Sequence, residues 1–494
     1  MEKKRILFVS DSVKRKTGYA TVAKNLIAEL VKTDKYELAQ LGLADVPALV
    51  GLPITYYSQI KDHTKCCNRG PGIELVTKDN PEVKLLQVTD ENKKLEEHPE
   101  QKLCIKAPNI PQDHYAYDSV YFVIKHFKPD IVIPINDLWG LYNINHLRNR
   151  RNFKFLPYLA IDSECMFPLL QAPEGRPGLP AIDTVKSVGS ADKTIVFTEW
   201  AKEVINKTTE ISTGGKQLGN IVVIPHGVDT SIWKPLTPEE RKKARKKYFG
   251  IEDDTFLIGS VARNQPRKRL DAVFMTMRAF LDKHEKPNRK IKCYFHCSLN
   301  DNLGWDLGWL GAYYGVQDRC IFDTNLQPGV GPEDWQLNEI VNCFDVHLSL
   351  TNSEGWHLPA LETAAAGIPN VITKYSAHAD WGKDTHLFCK VAGWYHEPRT
   401  GFIKAVADTS NAAHQISLLY NSKKMWADYS ARGVKLGEKL QWKNIVKQWE
   451  ELIDSIDISD FEEDRWSKPD PVPVQAPGQE PSPEQLQLSH FPED

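Results

Sequence analysis

The sequence predicts an α/β protein made of two doubly wound, parallel-sheet domains joined by a hinge. Three observations carry that prediction. At 494 residues the chain is too long for one hydrophobic core. Its 41% hydrophobic and 26% charged residues are the composition of a folded body rather than a disordered one. Continuous apolar strands then alternate with amphipathic helices, once on each side of a polar stretch at 234–254, and such strands need helices on both faces.

The elements follow in order. KRILFVSDS reads as a strand ended by turn residues, and TVAKNLIAELVK as a helix with Val22, Leu26, Ile27 and Leu30 on one face. DSVYFVIKHF is helical in period, PDIVIPIND is a buried-type strand, and FKFLPYLAID reads as a further strand. DKTIVFTEWAKEVINK and NIVVIPHGVD carry the alternation to about residue 229. The connector opens with Thr237 and Glu240 at capping-box spacing. The second series runs FLIGSVARN, LDAVFMTMRAFLDKH, KIKCYFHCS, CIFDTNL, LNEIVNCF, DVHLSLTN, LPALETAAAG and PNVITK. Beyond about residue 410 the chain turns helical, and Ile445, Val446, Trp449, Leu452 and Ile453 share a face that must pack on something.

Charge is uneven. The net value is -3, but 460–494 holds nine acidic residues against Arg465 and Lys468, so the rest is mildly basic, in keeping with a phosphate-bearing small ligand. The runs at 148–154 and 241–247 read as solvated faces, with polyanion contact the alternative. Seven prolines after Trp466 mark 459–494 as an acidic, Pro-rich disordered tail, with recruitment of a partner the alternative to simple solvation. No apolar stretch nears the roughly 18 residues of a membrane span, and the start lacks a signal-peptide core. Nine scattered cysteines point to reduced thiols, so the expected compartment is the cytoplasm. CYFHC at 293–297 lacks a second ligand pair, so no metal is expected, and no phosphate-loop signature of the G-x-x-x-x-G-K-[ST] type occurs.

The chemistry concentrates in SLTNSEGWHLPALETAAAGIPNVI, 349–372. A strand ends near Leu350, Glu354 sits in the following loop, and a helix starting near Leu358 carries Glu362 in its first turns. Unpaired N–H groups at such a helix start suit a phosphate, whereas two carboxylates beside it suit sugar hydroxyls. Asp162 ends an apolar strand and should face the same cleft.

Glu354 and Glu362 resemble the E-x7-E motif of the retaining family-four glycosyltransferases, the glycogen-synthase-like group with the GT-B fold. VARNQPRKRLDAVFMTMRAF is similar to the segment in which an Arg and a Lys hold the donor diphosphate, here Arg263 and Lys268. IPHGVDTSIWKP resembles the interdomain signature with Trp233 in its aromatic place, and DSVKRKTGY resembles the N-terminal glycine loop, here with the single glycine Gly18. Where the family usually has Glu-Gly-Phe-Gly, this chain has Glu354-Gly355-Trp356-His357.

The resemblance implies two facing Rossmann-like domains: an acceptor domain at 1–230, a nucleotide-sugar donor domain at 231–435, and a crossover helix at 436–458 that packs on the first. It implies retaining transfer from a UDP- or GDP-linked sugar without a resident cofactor or metal. Arg263, Lys268, Glu354 and Asp162 are the expected catalytic groups. Gly18, Gly355, Trp356, His357, Leu358 and Glu362 join Arg263, Lys268 and Glu354 as donor-binding positions. At the strand ends where relatives carry active-site groups, Asn136, Asp137 and Asp162 are the acceptor-side candidates, and the acceptor is left open among glycan, lipid, protein, small molecule and modified nucleic acid. A non-catalytic nucleotide-sugar-binding subunit and a GT-B phosphorylase or epimerase are the alternatives.

Overall fold

The computed structural model describes residues 3–44, 52–58, 73–74, 104–106, 119–145, 147, 149–164, 188–284, 290–299, 301–326, 331–398 and 401–468. Two parallel sheets dominate these residues. The first contains β1 (Lys4–Asp11), β2 (Tyr36–Leu43), β3 (Thr55–Ser58), β4 (Ile73–Glu74), β5 (Cys104–Lys106), β6 (Ile131–Asn136), β7 (Lys154–Phe155), β8 (Tyr158–Leu159), β9 (Thr194–Val196) and β10 (Ile221–Val223). Their order is β10-β9-β8-β6-β1-β2-β3-β5-β4, with β7 also on β6. The second sheet orders β11 (Phe256–Val261), β12 (Ile291–His296), β13 (Cys320–Phe322), β14 (Val346–Ser349), β15 (Asn370–Thr373) and β16 (His386–Cys389) as β13-β12-β11-β14-β15-β16. In each sheet the order reverses beside the first strand of the series, and the strand ends there open onto a crevice.

FKFLPYLAID is not one strand. It is split into β7 and β8 by Pro157, whose ring removes the ladder donor between them. A hairpin that sequence periodicity did not mark, β17 (Val391–His396) with β18 (Ile403–Ala407), stands apart from both sheets.

Six helices position the site. α1 (Gly18–Thr33) follows β1 and is capped by Thr17, whose hydroxyl accepts from the Ala20 N–H. α2 (Pro238–Phe249) opens with the capping box of Thr237 and Glu240. α3 (Leu270–His284) and α4 (Leu358–Ala365) follow β11 and β14. α5 (Lys423–Lys439) lies on α4 through Gly433 and Gly437, where an added Cβ would sit 2.6 Å from the Ala364 carbonyl and from the Ala365 side chain.

α6 (Trp442–Ser455) crosses back onto the first domain. Lys4 Nζ donates to the Ile453 and Ile456 carbonyls at 2.8 Å, Tyr36 donates to Asp454 at 2.6 Å, and Trp449 meets Tyr158 edge-on. The chain therefore passes between domains twice, and the two passages pair: Val228 N–H donates to the Leu440 carbonyl, and Gly227 leaves just the room that Trp442 fills.

Two expectations change. The first ten residues of the expected tail are folded against the first domain: Arg465 pairs with Asp130 at 2.5 Å and donates to the Asn152 carbonyl, while the Trp466 ring packs on that domain's core. The rest of the tail lies outside the described residues. The basic runs are partly internal rather than solvated, because Arg245 is buried on Asp345 and the Cys343 carbonyl, and Arg150 is tied to Asp192.

Candidate active site

The starts of α1 and α4 face each other across the crevice, and Gly18 sits where an added Cβ would lie 3.7 Å from Leu358 Cδ1. Just before α4, Gly355 passes against the end of the first sheet, with room for a Cβ only 3.0 Å from that of Ala160. Gly355 thus allows the two domains to approach closely, whereas a Cβ at Gly18 would make only an ordinary contact.

Glu354 is buried in the β14–α4 loop and clamped from two sides: Lys268 Nζ lies 2.5 Å from Oε1 and Arg267 2.9 Å from Oε2. Burial alone would raise its carboxyl, but the two cations outweigh that and hold it well below the usual carboxylate range. Arg267 also donates to the Ser353 carbonyl. Arg267 was not singled out from sequence. Its signal was adjacency to Lys268 in the Pro266–Lys268 turn, which presents both side chains to the loop. Arg263 lies elsewhere: its side chain is 57% exposed and paired with Asp301 at 2.6 Å. The structure therefore brings Lys268 and Glu354 together and leaves Arg263 at the rim.

Glu362, one turn into α4, has no hydrogen-bond or ion-pair partner for its carboxylate among the described residues. Burial, reinforced by Asp334, pushes it up to about 8. His357 caps α4 in the left-handed region, at φ 83°, a conformation that favours glycine. Its ring lies back among His347 and His378, and its Nδ1 finds no partner among the described residues. Trp356 faces the hinge rather than the crevice: it is buried, stacked on Trp381 and edge-on to His226. That packing makes it a structural aromatic, and its expected donor contact is not what its surroundings provide.

From the first domain, Asp137 accepts a hydrogen bond from Tyr19 at 2.6 Å. Burial is the main reason its carboxyl rises to about 6, with Asp162 and Asp11 adding to it and Tyr19 and Arg267 opposing. Asn136 is buried, turned to accept from the Asp137 N–H, and fills the space that Gly140 leaves. Asp162 is met by Lys404 of β18 at 3.4 Å and by the Ser163 hydroxyl at 2.9 Å. Tyr19 and Lys404 are site groups that sequence reasoning missed. Tyr19 adjoins Gly18 in the quoted loop, whereas no local signal marks Lys404. Among the described residues no group of three His, Cys, Asp or Glu side chains converges as a metal site. Cys293 instead pairs in register with Cys320 inside the second sheet.

Two facing parallel doubly wound sheets, a double crossing at the hinge and a helix start on each side of the crevice define the GT-B architecture. Sucrose-phosphate synthase of Thermosynechococcus elongatus has the same fold, with a TM-score of 0.59 at 13% identity over 92% of this chain and 98% of that one. HepE of Anabaena, solved in complex with UDP, gives 0.57 at 12% identity over 92% and 100%. In sequence, 155 residues are 31% identical to a D-inositol 3-phosphate glycosyltransferase of Stackebrandtia nassauensis, spanning 31% of this chain and 32% of that protein. The chain thus matches about a third of that relative's length. No family model matches the chain.

Proposed function

We propose that the chain is a retaining glycosyltransferase that moves a sugar from a nucleotide-diphosphate donor to an acceptor hydroxyl in the cytoplasm. One observation carries the reading: at the start of α4 one glutamate is held ionised between two cations, while a second, one turn into the helix, is half-buried with no hydrogen-bond or ion-pair partner among the described residues. A phosphate alone would not select two carboxylates; a nucleotide sugar offers phosphate oxygens to the helix start and hydroxyls to the glutamates. The matched stretch of a named glycosyltransferase and the GT-B fold support it. Free thiols at Cys293, Cys297, Cys320, Cys343 and Cys389 support a reducing compartment, and no described helix is long and apolar enough to cross a membrane.

In this reading the donor diphosphate seats at the α4 start, with Lys268 at hand and Arg263 reaching in from the rim. As the bond from the anomeric carbon to the phosphate oxygen breaks, these fixed charges stabilise the negative charge that collects on the leaving group. The acceptor oxygen bonds to the same face of that carbon, and its proton passes to the departing phosphate oxygen. Glu354 orients a hydroxyl of the transferred sugar, and Glu362 a ribose hydroxyl. Asp137 with Tyr19 and Asp162 line the acceptor side. No resident cofactor or metal is assigned a step.

Calorimetry with UDP, GDP and their sugars, followed by release of the nucleoside diphosphate, tests this. We expect Arg263→Ala to fold normally, because the side chain is exposed, and to lose about 2 to 4 kcal/mol of transition-state stabilisation. Lys268→Ala should lose comparable activity and also stability, by about 3 kcal/mol, since it strips a cation from a buried carboxylate. Wild-type protein that binds neither diphosphate would refute the reading.

A further inference from the structure

The hairpin of β17 and β18 lies outside both sheets, yet one of its side chains reaches both domains. Lys404 is buried, and its three ammonium hydrogens meet three oxygens: Ser163 Oγ at 2.7 Å, Ser353 Oγ at 2.9 Å and Asp162 Oδ2 at 3.4 Å. Asp162 and Ser163 follow β8 of the first domain, whereas Ser353 directly precedes Glu354 in the second. Main-chain bonds flank the ammonium on both sides. Ile403 N–H donates to the Glu164 carbonyl, Ala405 N–H to the Asn352 carbonyl, and the Tyr375 hydroxyl joins Glu164 N–H to the Ile403 carbonyl.

We propose that Lys404 is a positioning residue that couples closure of the two domains to the placement of the Glu354 loop. The inference rests on the glycosyltransferase reading for its consequence, but the coupling stands on geometry alone. Ser353 is the joint: its hydroxyl is held by Lys404, while its carbonyl is held by Arg267, the residue that also grips Glu354. When the domains part, Asp162 and Ser163 leave the ammonium. Ser353 then keeps only its own domain's anchors, and Glu354 loses the register that the closed crevice imposes. A buried charge network is weak evidence of net stabilisation, and in this proposal its role is to select one geometry. The backbone of the first domain is close enough at Gly355 and Ala160 for that selection to matter. Such closure keeps water from the donor while the acceptor is engaged.

The test uses the full chain. Small-angle scattering of ligand-free Lys404→Met should show a wider distribution of interatomic distances than wild type, and Lys404→Arg, which keeps the donors, should stay closer to wild type. Calorimetry with UDP and GDP should show diphosphate affinity within about threefold of wild type, whereas turnover of the matching nucleotide sugar falls at least about tenfold with little change in donor KM. If Lys404→Met folds poorly, the Lys404→Met/Asp162→Asn pair removes both charges and should recover thermal stability without recovering closure. Unchanged scattering in Lys404→Met or in the double variant would overturn the proposal, as would equal losses of diphosphate binding and turnover. Failure of wild type to bind either diphosphate would instead refute the glycosyltransferase reading, and the scattering comparison would still decide the coupling.

Discussion

Glu362 illustrates how one side chain sets a measurable balance. Its carboxyl is raised from 4.5 to about 8, first by burial and then by Asp334, so the folded state holds a proton that the unfolded chain has already released near neutrality. Stability tied to this group is therefore fully present below pH 4.5 and is lost as pH rises toward 8, by at most about 5 kcal/mol. Glu362→Gln should flatten that loss: thermal melts at pH 5 and pH 9 should differ less for the variant than for wild type. Above pH 8, where the carboxyl is ionised, the same substitution should weaken UDP or GDP by about 1 to 3 kcal/mol, through loss of a charged hydrogen bond to ribose. A wild-type-like pH slope with unchanged nucleotide affinity would show that Glu362 serves only the local packing of α4.

At the scale of elements, α4 is supported from below by histidines on three neighbours. His347 of β14, His378 beside the α4 loop and His386 at the start of β16 are all buried, and burial lowers them to about 4, 4 and 3. His347 Nδ1 meets the Asn370 side chain, and His378 Nε2 meets the Thr373 carbonyl. A depressed histidine leaves stability intact above its unfolded value near 6.5 and drains it as pH falls through 6.5 toward 4, because only the unfolded chain takes up protons there. The domain carrying α4 should therefore be acid-labile. Chemical denaturation at pH 7.5 and pH 5 should show a marked loss of stability at the lower value, and His378→Asn should reduce that loss. A pH-independent midpoint would mean these rings titrate as exposed ones do.

For the molecule as a whole, the covalent hinge at 224–234 is supplemented by the return of α6 to the first domain. Trp449 anchors that return: it is fully buried and edge-on to Tyr158, with ring centroids 4.9 Å apart. Trp449→Ala should cost about 3 to 5 kcal/mol, from lost burial and the cavity left behind. Because α6 ties the C-terminal end of the chain to the first domain, the variant should also show protease cleavage near 440 before global unfolding. Wild-type cleavage kinetics would place the anchor elsewhere along α6.

How much of this was legible in the sequence depends on the range of the interaction. Strand and helix positions followed from apolar period and caps, because those are decided by neighbours within a turn or a pleat; Thr237 with Glu240 and the β14–α4 unit are examples. Lys268 and Glu354 were identified as site residues for the same reason: each sits in a local motif. Pro157 broke an expected strand through chemistry visible in the chain, yet which side of it would still pair depended on β6. Arg267, not Arg263, closing on Glu354 was decided by how the turn after β11 is aimed across 87 residues of chain. Trp356 turned to the hinge because Trp381 and His226 were there to receive it. Lys404, 242 residues from Asp162, could be given its place only by the docking of one domain on the other, since a side chain's partners across a crevice leave no periodicity in the sequence.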